Sequence, residues 1–176
     1  MLLHDLLAAC AISGCVLAAT YTILEQGLRT HAAGMARAEG QQAARAALAR
    51  LSAELRNAGR GAKSTAPAIA VAEPARVVLV SDLDNDGTTT DRGERITWQL
   101  VGSILRRNAG AGAQPVANGV RAFELQYFDA AGRPTSDPPA IRAVEVALVT
   151  GVAAGESGLT RGTSTRITTR VRLRNR

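Results

Sequence analysis

Beyond His31 the chain has no histidine, and beyond Cys15 it has no cysteine; only 2 of each occur in 176 residues. These absences exclude Ser-His and Cys-His catalysis and histidine-based zinc sites from everything after the first segment. Carboxylates such as Asp129 and Asp137 are what remains for chemistry, and in a proline- and glycine-punctuated stretch they read as solvated turn residues. The expectation is therefore a protein that is not an enzyme. Aromatic residues make up only 3% of the chain and never interleave with basic positions, so the net charge of +6 is not accompanied by a base-stacking platform, and no nucleic-acid partner is expected. Arg166, Arg170, Arg172, Arg174 and Arg176 fall on one face of a final strand by two-residue spacing, a pattern that also guards an edge against unwanted pairing. Cys10 and Cys15 are about 140° apart around a helix and cannot easily bridge, so they read as small apolar residues.

Proline is missing before Pro67, and charge is missing from Leu6 to Leu24. As a helix the charge-free run is about 28 Å long, close to the roughly 30 Å hydrocarbon thickness of a bilayer. Nothing forces a break beyond it. Ala44, Ala47, Leu48, Leu51, Leu55 and Ala58 recur at three- and four-residue intervals, with Arg45, Arg50, Glu54 and Arg56 between them. That spacing predicts one helix, apolar all round in its lower half and one-sided in its upper half, stopped by Gly59 and Gly61.

The remaining residues read with period two. KSTAPAIAVAEPA is expected to be an extended connector, and RVVLV, ERITWQLV, SILRRN, the run through Phe123, Leu125 and Tyr127, IRAVEVALV and STRITTRVRL are expected to be about six strands. ERITWQLV and SILRRN should form a hairpin at Gly102 and Ser103. The glycine-rich NAGAGAQPVANG interrupts the pattern, and TGVAAGESGLTRG reads as a flexible connection. The fold class is α+β: a long helix, with a transmembrane lower half and an amphipathic upper half, packed on a mostly antiparallel sheet. The divisions are 1–28 for the membrane helix, 29–60 for the amphipathic helix and 61–176 for a β-rich head domain.

The acidic stretch before Trp98 has its own pattern. Asp82, Asp84 and Asp86 followed by Gly87 match the opening of a calcium loop, with Thr88 placed to offer its backbone carbonyl. The twelfth position, where a bidentate acid belongs, is Gly93, and Glu94 comes one residue later. The candidate ligand set is Asp82, Asp84, Asp86, Thr88 and Glu94, with calcium as the only cofactor considered. The plainer reading of the same residues is a solvated turn.

Asp5, Leu6, Ala11, Ile12 and Gly14 stand in the register of the N-terminal helix of type IV pilins and pseudopilins, and the chain resembles that family. QQAARAALARLSAELRNAGRG resembles the upper helix of minor pilins of the PilW and pseudopilin J type, and the likeness continues in order through DLDNDGTTTDRGERITWQL, VANGVRAFELQYFD and the closing TTRVRLRN. The family's acid is usually glutamate, so Asp5 is a shorter version; Met1 stands where mature family members carry phenylalanine. The resemblance implies a pilin-like fold, a transmembrane segment including Leu6, Ala11, Ile12, Gly14 and Leu24, and Asp5 as an assembly residue meeting the α-amino group of a neighbouring subunit. It implies a single-pass protein of the bacterial inner membrane with a periplasmic head, placed at a pilus or pseudopilus tip once assembled. Its partners would be other minor pilins, the major pilin and the inner-membrane assembly platform. The function expected is a minor pilin that primes a type IV pilus. The alternatives are a J-like pseudopilin of a type II secretion system and a membrane-anchored extracytoplasmic binding domain dependent on calcium. Arg29 and Arg37 flank the far end of the apolar run, a bias that alone would favour a cytoplasmic head; the family orientation is opposite.

Overall fold

In the computed structural model, which describes residues 2–61, 67–151 and 164–175, the proline-free stretch is one continuous helix, α1, Leu2–Asn57. The chain divides into two units, Met1–Ala38 and Glu39–Arg176.

Within the first unit every described side chain is exposed except Glu25, which is half-buried. Thr20 and Thr22 turn their hydroxyls back onto the helix: Thr20 Oγ1 donates to the Val16 and Leu17 carbonyls at 3.0 and 2.9 Å, and Thr22 Oγ1 to the Ala19 carbonyl at 2.8 Å. Neither threonine hydroxyl therefore depends on water for a partner.

The second unit begins with the upper part of α1. Its apolar stripe is buried throughout: Ala44, Ala47, Leu48, Leu51, Leu55 and Ala58 all belong to the core. Among the described residues eight strands follow: β1 (Ile69–Glu73), β2 (Arg76–Val80), β3 (Arg95–Val101), β4 (Ile104–Asn108), β5 (Ala113–Asn118), β6 (Val120–Phe128), β7 (Ala143–Gly151) and β8 (Ser164–Arg172). They form two antiparallel meanders, one of five strands in the order β1-β2-β3-β4-β5 and one of three in the order β6-β7-β8. The helix stripe packs with inward residues of both, including Ile69, Val77, Trp98, Leu105, Phe123, Val144, Val146 and Leu148.

The expected count of about six strands is corrected to eight among the described residues. KSTAPAIAVAEPA is not wholly a connector, because Ile69–Glu73 pairs with β2 across the turn at Pro74 and Ala75. Leu125 N–H donates to the Pro74 carbonyl at 2.8 Å and the Tyr127 hydroxyl to the Glu73 carbonyl at 2.8 Å, so contacts from β6 pin a hairpin of weak local preference. AQPVAN, within the glycine-rich stretch, is β5; it lies at the edge of its sheet, where a proline's missing N–H removes no bond from a neighbour. The β3–β4 hairpin has its turn at Gly102 and Ser103, with Gly102 at φ +61°. Most of TGVAAGESGLTRG, residues 152–162, lies outside the described residues, as does Arg176.

Polar contacts also tie the helix to the rest of this unit. Glu54 accepts from the Trp98 indole N–H at 2.6 Å and from Arg107 Nε at 2.8 Å. At the end of α1, Asn175 Nδ2 lies 3.2 Å from the carbonyls of Asn57 and Ala58, supplying a donor to groups that a helix leaves without partners.

Candidate functional site

The structure sets the sequence-derived residues in two places. The first is the lower part of α1. Asp5 lies in its first helical turn, where a negative charge is favoured by the helix dipole. Leu6, Ala11, Ile12, Gly14 and Leu24 are all exposed, and nothing lies within 4 Å of the position a Cβ would take at Gly14. Leu6, Leu17, Tyr21 and Ile23 are each more than 60% exposed. This is the one described helix long and apolar enough to cross a membrane. A surface this apolar and continuous is unfavourable in water, and lipid or other protein could cover it.

The second place is the segment between β2 and β3. One carboxylate oxygen from each of Asp82, Asp84 and Asp86 lies within 4.8 Å of the others. Asp84 and Asp86 are exposed, whereas Asp82 is only 2% exposed. Asp82 sits directly after β2 and its Ser81 extension, with its N–H held by the Arg60 carbonyl at 2.8 Å. Its Oδ2 accepts from the Gly87 N–H at 3.0 Å, and its Oδ1 has no hydrogen-bond partner among the described residues. Gly87, at φ +87°, and Asn85, at φ +63°, take backbone conformations that glycine and asparagine tolerate best, and these turn the chain back on itself. Thr88 gives its N–H to Asp86 Oδ1 at 2.6 Å and its hydroxyl to Asp86 Oδ2 at 3.1 Å.

Glu94 is placed differently from its three companions. It is 2% exposed, and its two oxygens accept from Leu83 N–H at 2.7 Å and Asp91 N–H at 3.2 Å. Its carboxylate thus ties the start of the loop to its end. The sequence offers a faint sign of this in an acid placed immediately before the alternation of β3. Asp91, on the rim, has its carboxyl pushed above the ordinary aspartate value by desolvation and then by Glu94, Asp84 and Asp86.

Other residues named in the sequence take structural roles that spacing alone did not give them. Gly61, at φ +72°, lies so close to the Asp82 carbonyl that a Cβ there would approach it to 1.9 Å. Asp129 closes the turn after β6: Oδ1 accepts from the N–H groups of Ala131 and Arg133 at 2.8 and 2.9 Å, while Oδ2 accepts from the Arg133 guanidinium at 2.9 Å. On another side, Arg56, Arg170, Arg172 and Arg174 line an open cleft of about 470 Å³. Arg170 also lies over the Phe128 ring, 4.0 Å from its centre.

Compared with known proteins, the chain matches no family model and no curated protein.

Proposed function

We propose that this chain is a membrane-held subunit of the type IV minor pilin and pseudopilin class, stored in the bilayer through α1 and incorporated from there into a filament. The observation that carries the reading is the contrast along α1. Its first part exposes an apolar surface, while its continuation buries a narrow apolar stripe in the core of a β-rich unit. Plain anchoring needs only the first feature. Filament assembly uses both, because the surface that faces lipid before assembly packs on neighbouring helices after it, while the folded unit remains unchanged.

On this proposal the protein is a single-pass component of the bacterial inner membrane with a periplasmic head. It acts at the pilus or pseudopilus tip with other minor pilins and the major pilin, and is loaded by the inner-membrane assembly platform. A charge at the centre of a membrane helix costs about 2.5–3.5 kcal/mol, and less near the interface, so Asp5 favours a cationic partner. The α-amino group of an adjacent subunit provides one in the filament.

The test has two arms. Full-length protein, solubilised in detergent from the cell that makes it, should retain other minor pilins in a pull-down, and their identity separates a pilus from a secretion pseudopilus. Asp5→Ala, at matched protein level, should lower filament initiation at least about tenfold, the effect of losing roughly 1.4 kcal/mol. Failure to retain any pilin, together with unchanged initiation, would return the protein to the class of simple anchored domains.

A further inference from the structure

We propose that the β2–β3 segment is a calcium site in which Asp82 Oδ1 and one carboxylate oxygen each from Asp84 and Asp86 are the protein ligands. The argument does not depend on the filament proposal.

Three acids close together in a loop would not suffice; the decisive feature is Asp82. Its side chain is almost fully buried, its Oδ2 is engaged by Gly87 N–H, and its Oδ1 lies buried with no hydrogen-bond donor among the described residues. Buried carboxylate oxygens are nearly always satisfied, because removal from water without a partner is costly. A cation at Oδ1 supplies what no donor among the described residues does. The geometry then agrees. Oxygens around calcium lie 2.3–2.6 Å from the ion, so two on opposite sides are at most about 4.6–5.2 Å apart. One carboxylate oxygen from each of Asp82, Asp84 and Asp86 lies within 4.8 Å of the other two, a spacing that one ion can bridge. Thr88, seventh in the motif, and water complete the coordination.

Glu94 defines how the site is built. Its oxygens accept from Leu83 N–H and Asp91 N–H, and it stands outside the group of carboxylates whose oxygens lie within 4.8 Å of one another, so it holds the loop in shape and leaves coordination to the other three. A site with three carboxylates and an open outer side falls in the weak range of extracellular calcium modules, with Kd of about 0.1–1 mM. Calcium would also order the segment that meets the end of α1 through the Arg60 carbonyl and Gly61.

The experiment titrates CaCl2 into the full chain in detergent, read by calorimetry and by thermal melting, with MgCl2 and NaCl at matched ionic strength. Support consists of a saturable heat in the stated range and a Tm rise of roughly 4–6 °C at ten times Kd. Both should vanish in Asp84→Ala and in Asp86→Ala, exposed positions whose replacement leaves the core untouched. Asp82→Asn should bind at least about tenfold more weakly and, in EDTA, melt above the wild type, since it removes the stranded charge. The absence of saturable heat up to about 10 mM calcium would overturn the proposal. So would a Tm rise that MgCl2 or NaCl reproduces, or one that persists in both Asp84→Ala and Asp86→Ala.

Discussion

Replacing Glu54 by alanine should destabilise the folded unit far more than any other exchange on the polar side of the upper helix. Glu54 bonds to one group that is sealed and to another that is nearly so. The Trp98 side chain is fully buried, and its indole N–H reaches Glu54 at 2.6 Å; the Arg107 side chain is 18% exposed and reaches the other oxygen at 2.8 Å. In Glu54→Ala the indole N–H is left in the core without an acceptor, a cost of about 1–3 kcal/mol. Arg107 can turn toward water, so its share is smaller, about 0.5–1 kcal/mol rather than the 3–5 kcal/mol of a fully buried broken pair. Arg50, 3.4 Å away and half exposed, contributes little. The sum is roughly 1.5–4 kcal/mol, or a drop in Tm on the order of 10 °C for a unit of this size. Glu54→Gln retains an acceptor for the indole and should lose only about 1–2 kcal/mol. Urea unfolding in detergent, followed by circular dichroism, also accommodates Trp98→Phe, which removes the chain's one tryptophan. In a double-mutant cycle of Glu54→Ala with Trp98→Phe, the coupling should be at least about 1 kcal/mol. A loss in Glu54→Ala below about 0.5 kcal/mol, or zero coupling, would refute the reasoning.

Gly61→Ala should be severely destabilising, by more than the roughly 1 kcal/mol of an unfavourable φ alone, because its Cβ would collide with the Asp82 backbone carbonyl; melting of the variant beside Gly14→Ala, where nothing is close, checks this. Asp129 is held below its ordinary value of 3.8, first by the Arg133 N–H and then by the Arg133 side chain and Ala131 N–H, against desolvation. Its folded pKa is therefore the lower of the two, so its contribution is present above the unfolded value and is lost as pH falls through the folded one. Asp129→Asn should flatten that part of the acid-side decline when melts are compared between about pH 5 and pH 2, and parallel profiles would show that the turn does not depend on the charge.

Residue spacing by itself determined the helix and its two characters. A charge-free run and a stripe at Ala44, Ala47, Leu48, Leu51, Leu55 and Ala58 are local, periodic signals, and burial follows period when one side of an element faces a core. The same holds for Phe123, Leu125 and Tyr127 and for Val144, Val146 and Leu148, all of which are buried. The acidic loop was legible as a D-x-D-x-D-G pattern, because alternate oxygens and a turning glycine are consecutive in the chain. Tertiary structure decided the rest. β1 and β5 are small-residue segments containing or adjoining proline, and their strand state comes from partners in β2, β4 and β6, not from their own preference. Glu94 looked like a late ligand, yet its burial and the N–H groups of Leu83 and Asp91 claim both of its oxygens. Asp82, Asp84 and Asp86 look alike in sequence, and only packing at the end of α1 buries the first while leaving the other two in water. Partners distant in the chain settle which polar atom is satisfied and which is not, and local pattern carries no record of them.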